Sequence, residues 1–457
     1  MIKKNNISQT FYAFILLHLL IWTFVPSISN INLPLDTIEA LAWGSNLDWG
    51  YNKHPPLSAF ATEFFYKIFG PNDWAYYFLS QIFVVVAFIY IWKFSNEFFE
   101  NKFFPLISIF MLEGIFFYNF TSPEFNVNIS QLPFVALTVF YFWRSINDNK
   151  TFDWILFGVF SALGFLSKYL FIYLLIALFL FLIFDYKKNR KYFKKYFFSS
   201  ILLLIILFPH IHWLFDNNFI TIFYGINRSS LGETSAIYHL INPVKFLFKQ
   251  FIVLIPFFIM ALLLIKKKKI KISLKNNKKN FIVFVAIVPF TLMILTSILT
   301  GAEIRTMWMT PFYLFLGVLF LKIFEKNIEI KKIKKFYLSF LFFFFLSPLS
   351  YFLVSTLDDT KRTDFPGKEI SRLVQEKWDK NFTNEIKIVV GDEWSAGNLS
   401  YHLNSRPMWT NDLKNKATKL KEDEGVIYTG NPQVLKKICP GVFGTIRPIG
   451  YCMIGRK

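Results

Sequence analysis

Residues 35–58 read LDTIEALAWGSNLDWGYNKHPPLS. The stretch gathers Asp36, Glu39, Asp48, Lys53 and His54, while the apolar runs on either side, 11–26 and 74–95, are almost free of charge. An ionisable segment between two apolar runs is either a connecting loop or the working face of the protein. The rest of the chain has to decide between them.

The 457 residues are 54% hydrophobic, with 60 Phe and a mean hydropathy of +0.40. Runs of some 20 apolar residues recur, each long enough to cross about 30 Å of hydrocarbon. They are continuous rather than alternating, so the spans are helices, whose backbone groups are satisfied internally. Eleven spans are expected, at 11–26, 74–95, 103–121, 125–143, 152–168, 169–185, 197–214, 246–265, 281–300, 308–324 and 336–354, with an interfacial helix over 57–69. The run at 11–25 follows Lys3 and Lys4 and has no small-residue cleavage site, so it reads as an uncleaved first helix.

The net charge of +20 does not point to nucleic acid, because the basic residues cluster between spans. With the N-terminus in the cytoplasm, the inner loops hold 26 Lys and Arg, including the clusters 187–195, 266–279 and 322–335, against seven in the outer loops. That asymmetry sets the expected orientation. An odd number of spans then places 355–457 on the outer face, in the periplasm. The unusual polar residues collect on the same face, among them Asp36, Glu39, Lys53, His54, Glu124, Lys168, His210, Glu233 and Arg305.

The tail differs in composition. It is dense in charge from Asp358 to Lys380, with strand-like runs at 385–390 and 425–429 and a helical pattern over 371–378. The expected organisation is a membrane domain over 1–354, with its first outer loop at 27–73, followed by a small α/β domain over 355–457. Cys439 and Cys452 are able to form one disulfide if that domain faces an oxidising compartment.

The Trp49-Gly50-Tyr51-Asn52-Lys53-His54-Pro55-Pro56-Leu57 run, preceded by an acid just after the first span, resembles the first periplasmic loop of bacterial GT-C glycosyltransferases. The nearest likeness is to glycosyltransferase family 39, the protein mannosyltransferases and the aminoarabinose transferase of lipid A. Gly164-Phe165-Leu166-Ser167-Lys168-Tyr169 also resembles a family segment, as does 391–407. The resemblance implies a multi-pass inner-membrane enzyme of GT-C type. It would take a hexose or pentose from a polyprenyl phosphate and place it, with inversion, on an envelope acceptor: lipopolysaccharide, another glycolipid or protein. No cofactor is required by this chemistry, and a divalent metal is permitted.

The resemblance implies roles for particular residues. An acid at the outer end of the first helix acts as general base, which assigns Asp36, with Glu39 as alternate or orienting residue. The family's commonest form is two adjacent acids. Here they are three apart, which puts both on one face of a helix. Lys53 and His54 are held by a backbone that two prolines stiffen, and suit sugar hydroxyls or phosphate. Some relatives carry Glu-Lys-Pro here, and this chain has Asn52 in place of the acid, which weakens a metal site. Glu124 is placed to bind sugar hydroxyls or the acceptor. Lys168 and Arg228 suit the carrier phosphate, Arg228 as a fork. Arg305 either reaches phosphate or pairs with Glu303. His210 and His212 at i, i+2 do not chelate and read as surface histidines. The rival class is a polytopic transporter or flippase, for which broken helices and midplane polar residues would speak.

Overall fold

The computed structural model describes residues 6–184, 186–229, 235–266, 277–329, 332–411, 424–446 and 448–457. Glu233 and most of the basic cluster 266–279 lie outside the described residues, as do residues 330–331 of the 322–335 cluster.

The membrane part is helical: α1 (Ile7–Ser29), α2 (Leu35–Gly44), α3 (Leu57–Phe69), α4 (Asp73–Phe98), α5 (Phe104–Phe110), α6 (Val127–Asp148), α7 (Thr151–Ser167), α8 (Ile172–Phe184), α9 (Tyr186–Asn189), α10 (Phe193–Asp216), α11 (Ile220–Arg228), α12 (Tyr238–Val253), α13 (Ile255–Leu262), α14 (Asn277–Thr300), α15 (Leu316–Ile323) and α16 (Ile333–Leu357). Each expected span has a helix or a broken helix at its place. Among the described residues five are single helices of crossing length and apolarity, Ile7–Ser29, Asp73–Phe98, Tyr186–Asp216, Asn277–Thr300 and Ile333–Leu357. Two more are bent pairs, α12 with α13 at 51° and Thr306–Tyr313 with α15 at 60°. Pro256 opens the second helix of the first pair, where a fixed φ starts a new helical segment, and Pro311 lies inside Thr306–Tyr313, ahead of the second break. The count of eleven is therefore not established, although the chain is a multi-pass membrane protein.

An extended aromatic core joins α1, α4, α6, α14 and α16, with Phe110 stacked on Phe340 at 3.9 Å between ring centroids. Helices also approach closely where side chains are small. A Cβ on Gly317 would stand 2.5 Å from the Ser108 carbonyl oxygen, so α15 lies against α5 only because glycine is there. Large apolar side chains of α10 and α16, such as Phe208, Ile205, Phe345 and Leu349, face outward, as a lipid-facing surface requires.

The C-terminal part comprises α17 (Gly367–Asn381), β1 (Ile386–Val390), α18 (Ser395–His402), β2 (Met408–Thr410), β3 (Gly425–Gly430), α19 (Pro432–Ile438), β4 (Val442–Ile446) and β5 (Ile449–Ile454). The sheet order is β2-β1-β3-β5-β4, with β1 parallel to both neighbours and β5 antiparallel to β3 and β4. The two expected strands and the expected helix are β1, β3 and α17. Cys439 and Cys452 are bonded, tying the end of α19 to β5.

This region does not keep its core to itself. Ala42, Trp43, Tyr51 and Ala59 of the first loop share one apolar cluster with Val374, Trp378, Leu399 and Ile427. On the other side Ile38 and Leu41 pack with Tyr76, Tyr77 and Tyr401. Helix α2 is thus a wedge between bundle and sheet. Each large apolar side chain fully buried there contributes about 1.5–3 kcal/mol, so the first loop is fixed from both sides.

Candidate active site

The sequence LDTIEALAWG forms α2 because Pro34 precedes a run of good helix formers and Asp36 sits in the first turn, where a carboxylate favours the helix dipole. Thr37, Ile38, Ala40 and Leu41 are buried, which leaves Asp36 and Glu39 on the one face free to meet a cavity. The chain then loops through 45–56 and re-enters a helix at Leu57, the interfacial helix expected over 57–69. That loop is pinned by its backbone. The Thr221 hydroxyl donates to Tyr51 O at 2.6 Å, and His210 Nδ1 donates to Trp49 O at 2.5 Å while its Nε2 accepts from Tyr169 at 2.8 Å. His210 is buried, so the expectation of a surface histidine is corrected: it is spent on anchoring the loop. His212 is exposed and pairs with Asp216.

A cavity of about 590 Å³ opens beside α2. Asp36, Glu39, Lys53, His54, Lys168, Arg228 and Arg305 all line it, drawn from α2, the first loop, the end of α7, α11 and the segment before Thr306. Glu124 stands behind. It accepts the Asp36 backbone N–H at 3.0 Å and lines two neighbouring cavities of about 390 and 320 Å³. Sequence reading did not find Arg362, Asp392, Glu393, Trp394 and Trp308, which line the main cavity too. The first four come from the linker after α16 and the turn after β1.

The charges fall into two sets. Lys53 Nζ lies 2.8 Å from Glu39 Oε1 and 3.3 Å from Glu393 Oε1. Lys168 Nζ donates to Asn128 Oδ1 at 2.5 Å and stands 5.2 Å from the centre of the Trp308 ring, a cation–π distance. By contrast, Arg228, Arg305 and Arg362 have no ion-pair partner among the described residues, and Glu303 does not pair with Arg305. Among the described residues the Asp36 carboxylate likewise has no ion pair, and the Asp36 backbone N–H donates to Glu124.

Burial pushes the Asp36 carboxyl up, against the pull of Lys53, Lys168, Arg228 and Arg362. Burial also raises Glu39, opposed by its bond to Lys53. Glu124 is pushed up to about 8, by burial and then by the nearby charge of Asp36. His54 is lowered to about 3 by burial and by the surrounding cations, so its ring is neutral at physiological pH. It sits against Trp43 and Tyr224 at 5.9 and 6.1 Å. Among the described residues no three His, Cys, Asp or Glu side chains converge as a metal-ligand set.

The arrangement offers one unpaired carboxylate facing several unneutralised cations across a single cavity at the edge of a helical membrane bundle. Together they form one polar site in a multi-pass helical membrane protein. Residues 53–213 match the family described as dolichyl-phosphate-mannose-protein mannosyltransferase. Lys53, His54, Glu124 and Lys168 fall inside that match, and Asp36, Glu39, Arg228 and Arg305 outside it. The fold is similar to that of ArnT from Cupriavidus metallidurans bound to undecaprenyl phosphate, with a TM-score of 0.65 over 97% of this chain and 98% of that one, at 10% identity. The apo state of the same protein gives 0.62 over the same shares at 9% identity. No curated protein matches the chain in sequence. Residues 53–213 thus resemble that mannosyltransferase family, and the chain as a whole has an ArnT-like fold.

Proposed function

We propose that the protein is a membrane glycosyltransferase that moves a sugar from a polyprenyl-phosphate donor to an acceptor hydroxyl. The observation that carries this reading is the unpaired Asp36 carboxylate, opposite Arg228, Arg362 and Lys168 in one cavity. Asp36 takes the hydroxyl proton as the new C–O bond forms, and its raised pKa strengthens it as a base. The C–O bond to the carrier breaks on the opposite face of the sugar, which inverts the anomeric centre. The carrier leaves as a phosphate monoester, and the guanidiniums with Lys168 stabilise its growing charge. Lys53 orients the sugar. Glu124 supports Asp36 through its backbone N–H. The step needs no metal. The ArnT structure with undecaprenyl phosphate supports a lipid carrier of that kind here. The disulfide supports an oxidising compartment for 355–457, and with it the periplasmic placement of that domain and of the cavity.

A second reading as a transporter is favoured by the two bent helix pairs and by a sealed polar pair, His18 and Glu113, inside the bundle. One experiment separates the two. Purified full-length protein in lipid is given a panel of polyprenyl-phosphate sugars and a membrane-extract acceptor. Sugar transfer in the wild type that is lost in Asp36→Asn, with the fold intact, supports the enzyme and its base. Movement of lipid across the bilayer without transfer from any donor supports the transporter.

A further inference from the structure

The turn after β1 reads Gly391-Asp392-Glu393-Trp394, and it is built to hold one side chain in place. Gly391 has φ +152° and lies so close to Thr429 that a Cβ would overlap the hydroxyl. Its N–H donates to Thr410 O at 3.0 Å and its carbonyl accepts from Trp409 Nε1 at 3.1 Å. Asp392 Oδ1 accepts the N–H groups of Trp394 and Ser395 at 2.9 and 2.8 Å. The Trp394 ring packs on Phe365. The carboxyl end of a parallel strand is where such sheets present functional groups, and this one presents Glu393 to the membrane cavity. Glu393 Oε1 accepts from Asn52 Nδ2 at 3.0 Å and meets Lys53 Nζ at 3.3 Å, with a side-chain exposure of 13%.

We propose that Glu393 is a positioning residue of the transfer site: with Glu39 it clamps Lys53 and keeps that ammonium off Asp36. The C-terminal region then completes the active site. The inference rests on the transferase reading above. An ammonium has three donors. Two are directed to Glu39 and Glu393, and the third is left for a ligand in the cavity. Burial pushes Lys53 down, but the bonds to Glu39 and Glu393 outweigh it, so its pKa stands above the ordinary lysine value. The groups facing Asp36 are Lys53, Lys168, Arg228 and Arg362 on the cationic side, and Glu39 and Glu124 on the acidic side. Removing the Glu393 charge leaves Lys53 with Glu39 and Asp36 as its remaining acids. Lys53 then swings toward Asp36, lowers its pKa and weakens it as a base.

The test compares wild type, Glu393→Gln and Glu393→Asp as full-length protein in lipid vesicles. Transfer from an undecaprenyl-phosphate sugar is followed from pH 4 to 9, and acylation of Lys53 by an amine-reactive ester is followed by mass spectrometry. Expected for Glu393→Gln is a kcat about tenfold lower with KM little changed, an acid limb displaced to lower pH, and altered Lys53 labelling. Glu393→Asp keeps the charge on a shorter arm, so it retains the wild-type acid limb in part. Loss of rate with an unmoved acid limb, or wild-type rates in Glu393→Gln, overturns the proposal. Unchanged labelling overturns the clamp whatever the activity. Altered labelling with no transfer by the wild type from any donor leaves the clamp standing and overturns the transferase reading beneath it.

Discussion

Of the polar clusters buried among the described residues, two make the sharpest contrast, and one of these two has the features of a site. Inside the bundle, His18 Nδ1 meets Glu113 Oε1 at 2.8 Å, with side-chain exposures of 0% and 1%. Asn119 donates to the Glu113 carbonyl and carboxylate at 2.9 and 3.3 Å, and accepts from Ser347 at 3.1 Å. That cluster ties α1, the segment after α5, and α16 together and lines no cavity among those described. At the edge of the bundle, Asp36, Arg228, Arg305 and Arg362 line an open cavity without ion-pair partners among the described residues. Burial of charge is costly in either place. In the first cluster the facing charges satisfy each other, with His18 Nε2 left without a partner among the described residues, and in the second the charge is left for something that comes and goes. The lesson is that perturbation by burial does not mark a site unless it coincides with an opening and an unmet partner.

The comparison breaks or holds most sharply at Asp36. Asp36→Asn is expected to lower kcat by about 10²–10⁴-fold, with the thermal midpoint unchanged or raised, since an unpaired half-buried charge is removed. Glu113→Ala is expected to do the reverse. It orphans His18 Nδ1 and removes one of the two donor bonds of Asn119, the one to the carboxylate, at a cost of about 1–3 kcal/mol in stability, read as a lower thermal midpoint, while kcat per folded molecule is retained. A Glu113 variant that folds normally but does not transfer sugar would dissolve the distinction. Next in size, Arg228→Ala or Arg362→Ala is expected to raise KM for the lipid-phosphate donor about tenfold or more, the worth of a charge-assisted hydrogen bond. Ser347→Ala, in the sealed cluster, leaves KM where it was.

The sequence already carried much of this contrast. The charged segment 35–58 between two uncharged runs stood out because the bilayer leaves few places for carboxylates, and seven of the eight expected residues do line one cavity. The helical face that joins Asp36 to Glu39 follows from spacing alone. The residues it missed are of two kinds. Arg362 and Glu393 come from a region whose position over the bundle depends on Trp43 and Tyr51 packing into a distant core, a tertiary fact without a local pattern. His18 and Glu113 sit singly in apolar runs, 95 residues apart, and a lone polar residue in a span has no visible partner until the helices are packed. Pro256 and Pro311 near the two breaks were readable as prolines, but hydropathy runs smoothly through both segments, so each bent pair looked like one span.

The smallest expected effects concern pH, and they test the site's electrostatics directly. Glu124 holds its proton up to about pH 8 because its carboxyl is buried and faces Asp36. Below that pH it is neutral, and Asp36 is the one that ionises. As pH rises through about 8, Glu124 gains a negative charge beside the base, next to a phosphate whose own charge is growing. Transfer should therefore fall along an alkaline limb near pH 8, and Glu124→Gln, which cannot ionise, should lose that limb. The acid limb belongs to Asp36 and is displaced upward from the ordinary aspartate value, since burial raises it. His54 adds nothing between pH 5 and 8, because its ring, lowered to about 3, is neutral throughout. His54→Asn should thus change the rate by a factor roughly constant across that window, a fewfold at most, the loss of one neutral hydrogen bond. A histidine variant that moved either limb would place a titrating charge where this geometry has none, and would take the assignment of the base away from Asp36.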